Sequence, residues 1–79
     1  NLVALDQCDV GRAATISRIE DQADDFLQYL ESNRLTPGHE IEVVESDRHA
    51  GILSLRFVDG SQCSLGFPVA RKIQVELHD

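Results

Sequence analysis

The chain has 79 residues and a formal net charge of −7, which is enough chain for one domain and not for two. Its acidic balance disfavours direct binding to DNA, to RNA or to an anionic membrane surface. Its apolar runs reach only about four residues, so we expect neither a membrane-spanning helix nor a signal-peptide core within it.

The first ten residues hold a short apolar run and then two aspartates. They are compatible with a turn of helix or with a segment at the edge of a sheet. Residues 11–19 follow, in which β-branched and small residues dominate, and this composition predicts a strand. Ala14 and Ile16 lie on its buried face.

An amphipathic helix is predicted over residues 22–32. Asp21 is the expected N-cap, with Asp24 three residues later in the position of a capping-box acid. One apolar stripe has helical spacing and consists of Ala23, Phe26, Leu27 and Leu30. Asn33 is expected to end the helix in a left-handed conformation.

The segment after the helix reads as a tight turn that leads into a strand. Pro37 and Gly38 suit the two central positions of a type II turn, in which the second position needs a positive φ. A strand over residues 39–45 follows, with Ile41 and Val43 pointing to one side of it. This turn joins the helical part of the chain to the sheet.

The remaining elements are short and closely spaced. They comprise a polar loop over 46–51, a strand over 52–58, a hairpin turn at Asp59-Gly60, a strand over 62–65, a turn or short 3₁₀ segment over 66–71 and a closing strand over 73–78. Together they predict a mainly β domain of five short strands, curled into a small barrel, with one helix between strands 1 and 2.

Acidic residues cluster around the start of the helix. Glu20, Asp21, Asp24 and Asp25 lie there, and Glu31 lies at the far end. Carboxylates three or four residues apart can converge on one hard divalent cation. They also serve as caps, as partners of the helix dipole or as a solvated face. Any metal here would need further ligands from elsewhere.

Other chemistry-bearing residues form no recognisable motif. His39, His49 and His78 show no metal-binding spacing, and no nucleophile elbow, phosphate-binding loop or dinucleotide motif is present. The sequence therefore predicts no enzyme. Phe67 and Pro68 could form an apolar docking surface or a turn packed on the core.

The two cysteines are far apart and have no CxxC spacing, which favours a reducing, cytoplasmic location. Cys63 is expected inside the sheet as a small buried side chain, whereas Cys8 could be buried or exposed.

Two patterns taken together resemble the FeoA family of SH3-like domains. The first is Leu35-Thr36-Pro37-Gly38-x-x-Ile41-x-Val43, and the second is Leu65-Gly66-x-x-Val69-Ala70-x-x-Ile73-x-Val75. The chain is most similar to the version at the C-terminus of metal-dependent repressors of the diphtheria toxin repressor family. The resemblance implies a five-stranded SH3-like barrel with one helix, spanning residues 1–79 as a C-terminal fragment of a longer regulator.

The resemblance also implies a metal contact. In iron-sensing members this domain lends a Glu and, three residues on, a Gln to a site shared with the dimerisation domain. Those positions fall on Ser17 and Glu20, or on Arg18 and Asp21 in a register shifted by one. Because neither register has both ligands, Glu20 and Asp21 are the candidate metal ligands.

The parent protein is expected to use Fe²⁺ or Mn²⁺, while this domain needs no cofactor to fold. Its expected partner is the dimerisation domain of its own chain, without direct nucleic acid or membrane contact. The alternative is a stand-alone FeoA-type protein that assists a membrane ferrous iron transporter.

Overall fold

The computed structural model describes residues 1–78, which form one six-stranded sheet and two helices. The strands are β1 Leu2–Ala4, β2 Ala13–Ile19, β3 Glu40–Asp47, β4 Ile52–Phe57, β5 Gln62–Gly66 and β6 Ile73–Leu77. The helices are α1 Asp24–Ser32 and the single-turn α2 Phe67–Ala70, and a 3₁₀ turn covers Leu5–Gln7. Neither helix of this described range is long and apolar enough to cross a membrane.

All neighbouring strands are antiparallel, in the order β1-β6-β2-β3-β4-β5. The prediction of a mainly β domain is confirmed, but the strand count is six and not five. The additional strand β1 pairs with β6, with Leu2 opposite Glu76. Three residues are too few to show a period of two, so this pairing has no local signal. β1 and β5 remain the two edges, and hydrogen bonds do not close the sheet into a full barrel.

The core lies on one face of the strands and follows the predicted alternation. Its buried apolar residues are Leu5, Cys8, Ala14, Ile16, Ile19, Leu30, Leu35, Ile41, Val43, Leu53, Leu55, Phe57, Leu65, Ala70, Ile73 and Val75. Seven half-buried apolar side chains pack against this set, among them Phe26 and Leu27 of α1. The predicted stripe of α1 therefore faces the sheet through three residues, while Ala23 is exposed.

The start of α1 differs from the prediction. The helix begins at Asp24, two residues late, and its N-cap is Ala23, which makes no side-chain capping bond. Asp21 accepts a hydrogen bond from the Ala23 N–H at 3.0 Å, so its carboxylate closes a turn before the helix. The capping box with Asp24 was therefore wrong. Aspartate side chains commonly accept a hydrogen bond in this way from the backbone N–H two residues later in a turn.

The end of α1 is a Schellman motif. The N–H of Leu35 donates to the Leu30 carbonyl at 2.8 Å, and that of Arg34 donates to the Glu31 carbonyl at 3.2 Å. Arg34, with φ of 58°, takes the left-handed conformation that the sequence assigned to Asn33. Leu30 and Leu35 are both buried, which supplies the apolar contact that accompanies this motif.

The Pro37-Gly38 turn has the predicted form. Gly38 has a φ of 100°, and the N–H of His39 donates to the Thr36 carbonyl at 3.4 Å. The turn is tied to β2 because the Gly38 N–H donates to the Ile16 carbonyl at 2.8 Å. It therefore places the start of β3 beside the middle of β2, with Glu40 opposite Thr15.

The later elements match in kind, with shifted ends. β3 runs two residues further than predicted, to Asp47, and β4 ends at Phe57, which leaves Val58 80% exposed in the hairpin turn. Gly60 has a φ of 89°, as the predicted hairpin requires. Cys63 is half-buried, not fully buried as expected. Residues Phe67–Ala70 form a single α-helical turn.

Candidate functional site

The segment that joins β2 to α1 contains both predicted metal ligands, Glu20 and Asp21. Near the end of β2, Ile16 lies opposite Val75 while Arg18 lies opposite Gln74, so Ser17 is an extra residue in the pairing. Such a bulge changes the direction of the side chains next to it. Ser17 and Arg18 are both exposed, and the bulge thus presents them to solvent beside Glu20.

Asp21 uses both of its carboxylate oxygens. Oδ1 accepts from the Ala23 N–H at 3.0 Å, and Oδ2 lies 2.9 Å from the Nζ of Lys72. The Ala23 N–H and, after it, the Lys72 ammonium hold the pKa of Asp21 below its ordinary value, because both stabilise the ionised carboxylate. Asp21 is therefore already paired with a cation of the chain itself.

Lys72 contributes to this junction, although no sequence pattern pointed to it. It is the only lysine of the chain and lies 51 residues from Asp21. Its Nζ lies 4.9 Å from the centre of the Phe26 ring, within range of a cation–π interaction. Its carbonyl accepts from the Glu20 N–H at 2.8 Å. In the sequence this cation is far from the acidic cluster, because it belongs to the residue before β6.

Glu20 has the opposite environment. Its side chain is exposed and takes part in none of the three ion pairs formed among residues 1–78. In the same part of the chain, no three His, Cys, Asp or Glu side chains are grouped so that they could hold a metal ion. Among residues 1–78, therefore, Glu20 and Asp21 are not joined by a third side chain of these types. Glu20 can contribute one oxygen to a site completed by another part of a protein.

A shallow depression of about 500 Å³ lies at this junction. Its lining consists of Ser17, Arg18, Ile19, Glu20, Gln22, Leu27 and Pro37. The Gln22 amide donates to the Ile19 carbonyl at 2.9 Å and fixes the loop between β2 and α1. Apolar side chains next to charged and polar ones are typical of a protein–protein interface.

The remaining acidic residues do not converge with Glu20 and Asp21. Asp24 and Asp25 are exposed in the first turn of α1, and Glu31 is exposed in its last turns. The Asp25 carboxylate accepts from the Phe26 N–H at 2.8 Å. The positions of Asp24 and Asp25 suit the helix dipole at the first turn.

The three histidines lie in separate places. The Nδ1 of His39 lies 3.1 Å from the Thr36 hydroxyl, and the Nε2 of His78 lies 2.7 Å from the Thr15 hydroxyl. His49 is exposed in the β3–β4 turn, where Asp47 accepts from its backbone N–H at 3.0 Å. Each histidine has a local role, and none faces the β2–α1 junction.

Both cysteines are free thiols, and burial raises the pKa of Cys8 and of Cys63. A raised pKa keeps a thiol protonated and unreactive at neutral pH.

Phe67 packs against the core, while Pro68 is exposed at the first turn of α2. Of the two alternatives for Phe67, the structure therefore supports the core role.

Comparisons with known proteins agree with this fold. The model of the FeoA domain family matches residues 3–77, while no curated protein sequence matches the chain. A manganese-dependent transcriptional repressor in complex with manganese has a TM-score of 0.91 at 27% identity, over 98% of this chain and 37% of that one. An iron uptake regulatory protein, FeoA, has a TM-score of 0.88 at 26% identity, over 99% of this chain and 100% of that one.

A third structure, ScaR with bound Zn²⁺, has a TM-score of 0.81 at 32% identity, over 94% of this chain and 36% of that one. The chain thus spans little more than a third of the manganese-dependent repressor and of ScaR, and the full length of FeoA. The resemblance drawn from the two sequence patterns is confirmed, and the SH3-like architecture with it. Since the family model covers nearly every residue, the chain belongs to the FeoA domain family.

Proposed function

We propose that this FeoA domain is the accessory domain of an iron- or manganese-dependent transcriptional repressor, in which it packs on the dimerisation domain of its own chain. The observation that carries the proposal is the likeness to the manganese-dependent repressor, with a TM-score of 0.91 over 98% of this chain. There the matched part is 37% of a longer chain, as expected for a domain attached to others.

The depression between β2 and α1 is the proposed contact surface. It combines the apolar side chains of Leu27 and Pro37 with the exposed Arg18 and Glu20. Its area is small, so we propose a weak contact between linked domains that needs the tether to form. This domain contacts no nucleic acid in the proposal, because its net charge of −7 repels a phosphate backbone.

Glu20 is the proposed metal ligand of this domain. An exposed carboxylate outside the ion pairs of the described residues can turn towards a metal held by the dimerisation domain. Asp21 suits the role less well, because the Lys72 ammonium already pairs with its carboxylate and would repel a divalent ion beside it. Bound Fe²⁺ or Mn²⁺ would act as the signal that couples the two domains. The domain has no proposed catalytic activity, and its proposed location is the cytoplasm.

The proposal is tested on the complete reading frame that encodes this chain. DNA binding is measured against Mn²⁺ concentration for the wild-type regulator, for Glu20→Gln and for Asp24→Asn as a matched control. We expect Glu20→Gln to raise the Mn²⁺ concentration required by about tenfold, the lower end of the effect of losing a group that supports a metal site. Asp24→Asn should leave it unchanged. A reading frame without a DNA-binding segment would overturn the proposal, and equal Mn²⁺ responses would remove Glu20 from it.

A stand-alone FeoA protein is the second candidate, because FeoA matches over 100% of its own length. In that case the chain would assist a membrane ferrous iron transporter, and the same depression would contact a cytoplasmic part of that transporter. Co-purification with the transporter, abolished by Leu27→Asp but not by the exposed control Gln28→Asp, would favour this candidate.

A further inference from the structure

We infer that Lys72 is a built-in counter-cation that keeps Asp21 out of metal coordination. In this view one lysine determines which of the two carboxylates at the β2–α1 junction a divalent ion can use. The inference concerns the 79-residue chain alone. It therefore holds or fails independently of the parent protein proposed above.

The geometry holds the ammonium in one place. The Nζ of Lys72 lies 2.9 Å from Oδ2 of Asp21 and 4.9 Å from the centre of the Phe26 ring. The backbone on both sides of this contact is also fixed, since the Lys72 carbonyl accepts from the Glu20 N–H at 2.8 Å. An aromatic face and a carboxylate together restrict a side chain that is otherwise flexible.

Oδ1 of Asp21 also accepts from the Ala23 N–H at 3.0 Å, which fixes the orientation of the carboxylate. A divalent ion at Asp21 would therefore either lie next to the ammonium or have to displace it from Oδ2. A divalent ion and an ammonium about 4 Å apart repel each other in water by an energy equal to a factor of roughly 30 in a binding constant. The adjacent Glu20 carboxylate carries no such cation.

The same pair contributes little to folding. The two side chains are 43% and 32% exposed, and ion pairs with this exposure are weak because of solvent and salt. Removal of the ammonium should therefore leave a folded domain, in which the effect on metal binding can be measured separately.

The test is Mn²⁺ titration of the chain, followed by electron paramagnetic resonance of the free ion. Lys72→Met keeps most of the apolar stem against Phe26 but removes the charge. We expect it to tighten Mn²⁺ binding by about tenfold, somewhat less than the bulk-water repulsion because the wild-type lysine can swing away. In NMR spectra of Lys72→Met, Mn²⁺ should broaden the amide signals of Asp21 and Ala23 at concentrations that leave wild-type signals sharp.

Two controls separate this effect from a general change in charge. Arg71→Met removes a cation from the neighbouring exposed residue, which forms none of the ion pairs found among residues 1–78. It should change the affinity less than twofold, since solvent and salt screen an exposed charge that is not in direct contact. Asp21→Asn combined with Lys72→Met should return the affinity to the wild-type value. Equal affinities of Lys72→Met and Arg71→Met would overturn the inference, and so would a double variant that binds as tightly as Lys72→Met.

Discussion

The two ends of helix α1 are built in different ways. At its C-terminal end, a Schellman motif leads into the fully buried Leu35. There Arg34 forms an ion pair with Asp59 at 2.8 Å and lies 4.7 Å from the centre of the Phe57 ring. At its N-terminal end, the N-cap Ala23 makes no side-chain capping bond, and Asp21 just before it pairs with Lys72.

This difference separates the structural end of the helix from the adaptable one. Buried contacts at the C-terminal end resist local opening, whereas a solvated ion pair contributes little to the stability of the N-terminal end. The candidate site lies at the adaptable end, where Glu20 and the surrounding depression are exposed. A domain that contacts a partner and a shared metal benefits from this arrangement, because its loop can adjust while the fold stays intact.

The largest expected effect concerns the buried side of α1. Leu30 is 1% exposed, so Leu30→Ala should lower the free energy of unfolding by about 2–5 kcal/mol through cavity formation. Phe26 is only half-buried, and Phe26→Ala should cost about half as much despite its larger ring. Urea denaturation measures both, with the exposed Gln28→Ala as control. A Phe26→Ala variant less stable than Leu30→Ala would contradict this expectation. It would show that the N-terminal half of α1 contributes more to packing on the core than Leu30 does.

The next effect tests the C-terminal end. Arg34 has a φ of 58°, which a residue with a Cβ adopts at a cost of about 1–2 kcal/mol. Arg34→Gly should therefore be about 1 kcal/mol more stable than Arg34→Ala, since both lose the contacts with Asp59 and Phe57 and only glycine removes the strain. Thermal and urea unfolding of the pair measures this difference. If the two variants unfolded alike, the left-handed position would not set the geometry of this end.

A smaller effect concerns acid stability at the N-terminal end. The Ala23 N–H and then Lys72 lower the pKa of Asp21 below 3.8. A carboxyl group with a lowered pKa in the folded state stabilises the protein above its unfolded pKa. That contribution is lost as the pH falls through the lower, folded value.

The stability difference between wild type and Asp21→Asn should therefore be constant near neutral pH and shrink below about pH 4. Urea midpoints between pH 7 and pH 2.5 measure it. Asp9→Asn, an exposed aspartate outside the ion pairs of residues 1–78, should show no such convergence. A difference that grows on acidification would mean that Asp21 is not held ionised by these contacts.

The same contrast explains which features the sequence could predict. The strand alternation of Ile41 and Val43 and the Pro37-Gly38 turn depend on neighbours in the chain, and both are as predicted. For residues 1–10 the sequence left a helical turn and a sheet edge as alternatives, because the three residues of β1 become a strand only through pairing with β6. Short local patterns thus predict the fold class, whereas the edge strand β1 depends on pairing with a strand that is distant in the sequence.

The candidate site was harder to predict for a physical reason. The pattern placed Glu20 and Asp21 in one acidic cluster, but their different environments come from Lys72, 51 residues away from Asp21. Asp21 also satisfies two requirements of an N-cap, its residue type and its place before the helix, yet its carboxylate closes a turn onto Ala23. The local sequence cannot distinguish a helix N-cap from such a turn, since in both the carboxylate accepts a hydrogen bond from a backbone N–H a few residues ahead.

The smallest expected effect is the response of folding to metal. The buried core is apolar, and no three potential ligands are grouped within residues 1–78. We therefore expect Mn²⁺ to add little to the stability of the folded domain. With weak, roughly millimolar affinity, 0.1 mM Mn²⁺ should shift the melting temperature by less than about 1 °C. EDTA should leave it unchanged. A shift of several degrees would require tight binding, and the N-terminal end of α1 would then be a metal site in its own right.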